Sequence, residues 1–178
     1  MLTHSKHHLA AAITVDGLDS GYFQYMVYAP LERGEIVTTD SDSLNGSPPI
    51  GNGFLRWLKR APGFLLDKVD TPIRLEAHGA LDGAGVLEEW EWFAGLRRLG
   101  KPVELFYLPA GAHVLDRPWE RLASQQGAVD WFCFWLKGEE DPDPSKASQY
   151  TRWREMRREA PTPIAISGNA RGNPTVHP

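Results

Sequence analysis

Two hydrophobic rhythms alternate along this chain. Leu9-Ala10-Ala11-Ala12-Ile13-Thr14-Val15 is a nearly continuous apolar run ending in β-branched residues, the pattern of a strand buried on both faces, and Asp16-Gly17 breaks it. Ile73 to Ala77, entered through Thr71-Pro72, and Val103 to Leu108, cut off by Pro109, are the second and third predicted strands. Between those two, Val86 to Leu99 predicts a helix. Leu87, Trp90, Phe93 and Ala94, with Leu96 near the edge, recur at three- and four-residue steps. Glu88, Glu89, Glu91, Arg97 and Arg98 then fall on the solvent side. Acids early and arginines late complement the helix dipole, and Gly100 caps the end. A longer helix from about Pro118 to Leu136, ended by Gly138, sets Trp119, Leu122, Val129, Phe132, Trp135 and Leu136 against the sheet.

The remaining segments are less periodic. Leu2 to His8 reads as the last turns of a helix, and Gly21 to Tyr28 as a short helix or packed aromatic loop. Residues 32–52 are polar and rich in Gly, Ser, Asp and Pro, which predicts a long surface excursion. Phe54 to Arg60 forms a short amphipathic helix stopped by Pro62. Residues 139–159 read as a proline-punctuated linker and a surface helix from Lys146 to Arg158, carrying Tyr150 and Trp153. Residues 160–178 have no periodicity and are expected to be disordered. Strands alternating with helices predict an α/β domain over residues 1–138, with a three-stranded parallel sheet, flanking helices and right-handed crossovers.

Composition narrows the function classes. The 178 residues, 42% hydrophobic and 24% charged, suit one soluble domain with a proper core. A net charge of -4 offers no basic face for nucleic acid or an anionic membrane. No apolar run approaches the roughly 20 residues of a membrane helix, and the start lacks the apolar core of a secretory signal. The compartment stays open, with the cytoplasm as the default. Cys133 stands alone between Phe132 and Phe134, so it forms no internal disulfide and reads as core filler. The seven tryptophans read mainly as residues that join helices to a sheet. His4, His7 and His8 have helical spacing, but no carboxylate motif accompanies them, so no metal site is read.

The candidate chemistry lies between His78 and His113. His78-Gly79-Ala80-Leu81-Asp82 follows one predicted strand and Gly111-Ala112-His113 follows the next. In open α/β sheets the loops at the carboxyl ends of strands converge on one crevice. Asp82 and His113 are therefore expected together as an acid and a base, with His78 a structural residue at the strand end. A triad in the chain order Ser, Asp, His needs a serine upstream. None of the serines has glycine at both positions two residues away, so no G-x-S-x-G elbow is present.

Several of these segments resemble the prolyl oligopeptidase family of serine peptidases. Leu2-Thr3-His4-Ser5, Ala10-Ala11-Ala12-Ile13 and Asp16-Gly17 resemble the stretch just after the nucleophile elbow. Thr71-Pro72-Ile73-Arg74-Leu75-Glu76-Ala77-His78-Gly79 resembles the penultimate catalytic strand. Leu96 to Leu105 resembles the following helix and strand, and Gly111-Ala112-His113 the loop of the catalytic histidine. The resemblance implies part of an α/β-hydrolase catalytic domain, cleavage of peptide bonds, a peptide substrate and no cofactor. Carried over by position, Asp82 is the triad acid and His113 the base. Two departures stand out. Gly83-Ala84-Gly85-Val86-Leu87 follows Asp82 where the family has a further polar residue and Val-Pro, and Val114 replaces a glycine after the histidine. The elbow is expected upstream of Met1, making the chain the C-terminal part of a longer peptidase and inactive alone. It then partners the missing portion or self-associates through a bare sheet edge; the alternative is a non-catalytic α/β interaction module.

Overall fold

The structure, a computed structural model, describes residues 2–17, 21–31, 34–79 and 84–160. Asp82 and residues 161–178 lie outside the described residues, and with them the expectations of a triad acid at Asp82 and of a disordered tail. In chain order the elements are β1 (Ala12–Val15), α1 (Tyr22–Tyr28), α2 (Gly34–Asn45), α3 (Phe54–Arg60), β2 (Ile73–His78), α4 (Ala84–Arg98), β3 (Val103–Leu108), α5 (Pro118–Phe132) and α6 (Ala147–Glu159). The strands form one parallel sheet in the order β1-β2-β3, with Ala12 opposite Ile73 and Ile73 opposite Val103.

This register sorts the side chains onto two different faces. Ala12, Ile73, Leu75, Val103 and Leu105 share one face, where Trp92 and Leu96 of α4 and Leu66 and Val69 close an apolar core. The opposite face of β2 carries Arg74, Glu76 and His78, all buried. A second cluster of Trp131, Phe134, Tyr150 and Trp153 joins α5 to α6 and touches Ile13 of β1. Within it, Trp131 and Trp153 meet edge-on at 5.1 Å. Residues 139–159 are thus packed onto α5 through buried Tyr150 and Trp153.

Several expectations are corrected. Leu2–His4 is a turn, and no helix spans residues 2–8: Thr3 bonds the His4 ring and Ser5 Oγ accepts from His7 N–H, local bonds that compete with a helix. The first strand is shorter than the apolar run and only half-buried, because β1 is the sheet edge and Val15 is 46% exposed. Residues 34–45 form a helix instead of a loop, anchored by Val37, Ser41 and Asn45 at i, i+4 and i+8.

The buried faces of α4 and α5 are also rotated from those expected. On α4, Glu88 and Glu89 are buried while Leu87 and Trp90 are largely exposed. Helix α1 lies on that side and supplies polar partners. The Tyr28 hydroxyl donates to Glu88 Oε1, Gln24 Nε2 to Glu88 Oε2 at 3.3 Å, and Phe23 N–H to Glu91 Oε2 at 2.9 Å. On α5, Glu120, Asp130 and Trp131 are buried, whereas Trp119, Leu122, Val129 and Phe132, and Leu136 just beyond the helix, are exposed. Asp130 can turn inward because Lys146 Nζ reaches its Oδ2 at 2.8 Å.

Candidate active site

Three strand ends deliver polar side chains to one edge of the sheet, as expected of a parallel α/β arrangement. After β1, Asp16 adopts a left-handed backbone with φ 43°. That conformation costs a non-glycine residue on the order of 1 kcal/mol. It aims the carboxylate back across the sheet end. Asp16 Oδ1 accepts from the backbone N–H of His78 at 3.1 Å, and Oδ2 lies 2.7 Å from Nδ1 of His113. The Asp16 side chain is 10% exposed and that of His113 is 74% exposed. One partner is fixed in the protein and the other is open to solvent.

Gly79 and Gly85 let this edge close. The Gly79 N–H donates to Leu108 O at 2.9 Å, joining the loops after β2 and β3. At Gly85 an added Cβ would sit 1.6 Å from the carbonyl oxygen of His78, so only glycine lets α4 begin against the end of β2.

Behind Asp16 runs a buried polar row. His78 Nε2 is 3.2 Å from Glu76 Oε1, and Arg74 Nη1 is 2.6 Å from Glu76 Oε2. Burial alone would push the Glu76 carboxyl up. Hydrogen bonds from Ser124, Arg74 and His78, with the Arg74 charge, outweigh it and hold the carboxyl below its usual range. Glu88 behaves oppositely: burial raises it, and the nearby Asp16 charge adds to the rise despite hydrogen bonds from Tyr28 and Gln24. A cavity of about 400 Å³ opens beside His113, with Val15, His78, Leu115, Arg121 and Ser124 in its walls. Among the described residues no group of three or more His, Cys, Asp or Glu side chains is placed to hold a metal ion.

His113 therefore sits at the sheet edge with a carboxylate on Nδ1, the arrangement in which Nδ1–H is donated and Nε2 is free to take a proton. The carboxylate is Asp16, which the sequence reading passes over as a strand breaker. His78, read as structural, lies directly behind it, its Nδ1 3.6 Å from Asp16 Oδ2.

No protein-family model matches the chain. In an alignment of 169 residues that covers 89% of this chain, it is 30% identical to the lasso peptide isopeptidase AtxE2 of Asticcacaulis excentricus and spans 22% of that protein. Two solved structures of AtxE2 share its fold. The apo form matches at TM-score 0.65 and 31% identity, and a Ser-to-Ala variant with Astexin3-dC4 bound at 0.69 and 30%. Each match covers 89% of this chain and 23% of the other. The chain is homologous to this isopeptidase, and its three parallel strands and flanking helices are those of an α/β-hydrolase-type fold.

Proposed function

We propose that the chain supplies the histidine-bearing part of a serine peptidase of the prolyl oligopeptidase family, acting on peptide or isopeptide bonds. The observation that carries this reading is the 2.7 Å contact of His113 with Asp16 at the carboxyl edge of the sheet, in a chain homologous to an isopeptidase. His113 is the general base. Its Nε2 takes the proton from a serine hydroxyl as the oxygen attacks the acyl carbon, and Asp16 at Nδ1 stabilises the imidazolium that forms. The same proton then goes to the leaving amine as the acyl–nitrogen bond breaks. Water, deprotonated by His113, hydrolyses the ester. Asp82 is the second candidate for the acid, by its place after β2. The serine comes from a segment outside this chain.

The test is complementation. The chain is mixed with AtxE2 from which the matched segment has been deleted, and hydrolysis of a lasso peptide and a linear peptide is followed by mass spectrometry. Cleavage is expected only in the mixture, falling about a thousand-fold or more for His113→Ala. Asp16→Asn should cost about 10³–10⁴-fold in kcat if Asp16 orients the ring, with Asp82→Asn as the comparison. Unchanged cleavage with His113→Ala ends this reading. It then favours the non-catalytic module, for which the open edge of β1 speaks.

A further inference from the structure

We infer that Gln24 is a positioning residue: from α1 it clamps the turn after β1 that aims Asp16 at His113. This rests on the reading of His113 as the base. The Asp16 backbone, at φ 43°, holds a conformation that persists only where the surroundings impose it. Its entry is fixed, because Asp16 N–H bonds Glu76 O at 2.7 Å. Its exit runs through Gly17, and a glycine by itself leaves the direction open. Packing does not close it: among the described residues a Cβ on Gly17 would meet only Val15 O, at 3.9 Å. The Gly17 carbonyl is held instead by Gln24, whose Nε2 donates to it at 3.1 Å.

Gln24 is fully buried, the one amide in a helix otherwise made of aromatic and aliphatic residues. A carbonyl oxygen can only accept, so the amide nitrogen must face Gly17, and its second hydrogen serves Glu88 Oε2 at 3.3 Å. Glu88 is anchored in turn by the hydroxyl of Tyr28, one helical turn along the same face of α1. Phe23 N–H on Glu91 ties the start of α1 to α4 as well. The clamp thus reaches from α4 through Gln24 to the turn. Once it is removed, the hydrogen bond of Asp16 Oδ1 with the His78 N–H is left to oppose the backbone strain. Relaxation of φ to negative values turns the Asp16 Cα–Cβ bond and carries Oδ2 away from His113, whose Nδ1 it now meets at 2.7 Å.

Long-range ¹H–¹⁵N NMR of the imidazole-labelled chain, at mildly alkaline pH where neutral rings dominate, reads whether His113 carries its hydrogen on Nδ1, as donation to Asp16 requires. Gln24→Met keeps the bulk of the side chain and removes both donors. The Nδ1–H share of His113 should then fall at least twofold, in a chain whose thermal melt remains cooperative. Tyr28→Phe loosens the same α1–α4 contact but leaves Gln24 on Gly17, and should keep the wild-type tautomer. An unchanged tautomer in folded Gln24→Met, or an equal change in Tyr28→Phe, overturns the inference. Should Gln24→Met fail to fold, the wild-type spectrum decides. A Gln24 side-chain amide that exchanges slowly and shows NOEs to Gly17 supports the clamp, and one that exchanges freely without them overturns it. Failure of complementation with the Gln24→Met tautomer change observed would count against the proposed function and leave the positioning role standing.

Discussion

Glu76 and Glu88 are buried carboxylates on two sides of the same sheet edge, and they titrate in opposite directions. Folded Glu76 binds its proton less tightly than the unfolded chain does. Its contribution to stability is present above the ordinary carboxylate range and is lost as pH falls through that range and below. Folded Glu88 binds its proton more tightly, so its contribution is full in acid and is lost as pH rises through its elevated value. Glu76→Gln removes the nearer of two counter-charges from a buried guanidinium, leaving Glu104 Oε2 at 3.8 Å, and should cost about 3 kcal/mol at neutral pH, and less in acid. Glu88→Gln should be neutral or stabilising at neutral pH, since the amide oxygen still accepts from Tyr28. Urea denaturation of both variants at neutral and mildly acidic pH checks this, and a large loss for Glu88→Gln would contradict the assignment. At this scale half of the candidate site was legible. A polar residue just past an apolar run marks His113, and the same rule applies to Asp16, but an Asp-Gly pair also reads as an ordinary turn. Nothing in sequence spacing shows that β1 and the loop after β3, separated by β2, meet over its end.

The helices were legible as helices but not in their orientation. Three- and four-residue spacing marks α4 and α5, yet each sequence carries a second stripe one step round that contains both carboxylates and tryptophans. On α4 the stripe with Glu88, Trp92 and Leu96 turns inward; on α5 the one with Glu120, Asp130 and Trp131 does so. Amphipathic pattern weighs each side chain alone, and here polar partners on other elements, Tyr28, Gln24 and Lys146, make burial of acids tolerable. The same omission hides α2, whose inward positions include Ser41 and Asn45. A paired measurement separates the two orientations of α5. Trp131→Ala should cost about 3–5 kcal/mol, whereas Leu122→Gln should stay within about 0.5 kcal/mol, although pattern alone places Leu122 against the sheet. Gly85→Ala tests the docking of α4 on β2. The clash with the His78 carbonyl should cost about 1–3 kcal/mol by thermal melt.

At the scale of the molecule, the outer rim of β1 carries backbone groups that no strand pairs among the described residues. Ala12 N–H bonds Pro72 O and Asp16 N–H bonds Glu76 O, so by alternation the N–H groups of Ile13 and Val15 point away from β2. No strand pairs with that rim among the described residues, Val15 is half-exposed, and α5 shows Leu122 and Val129 to solvent. The chain spans under a quarter of the length of the relatives it matches. The occupant we expect for this rim is accordingly a strand of the complementing hydrolase portion, which would bring a nucleophile to the end of β1 beside Asp16 and His113. Without that portion, paired edges predict weak self-association. Light scattering across a concentration series should show oligomers for the chain alone and a 1:1 complex once AtxE2 lacking the matched segment is added. Val15→Lys places a charge on the rim and should weaken both. A strictly monomeric chain that ignores the added portion would show that β1 is a finished edge and would count against complementation through it.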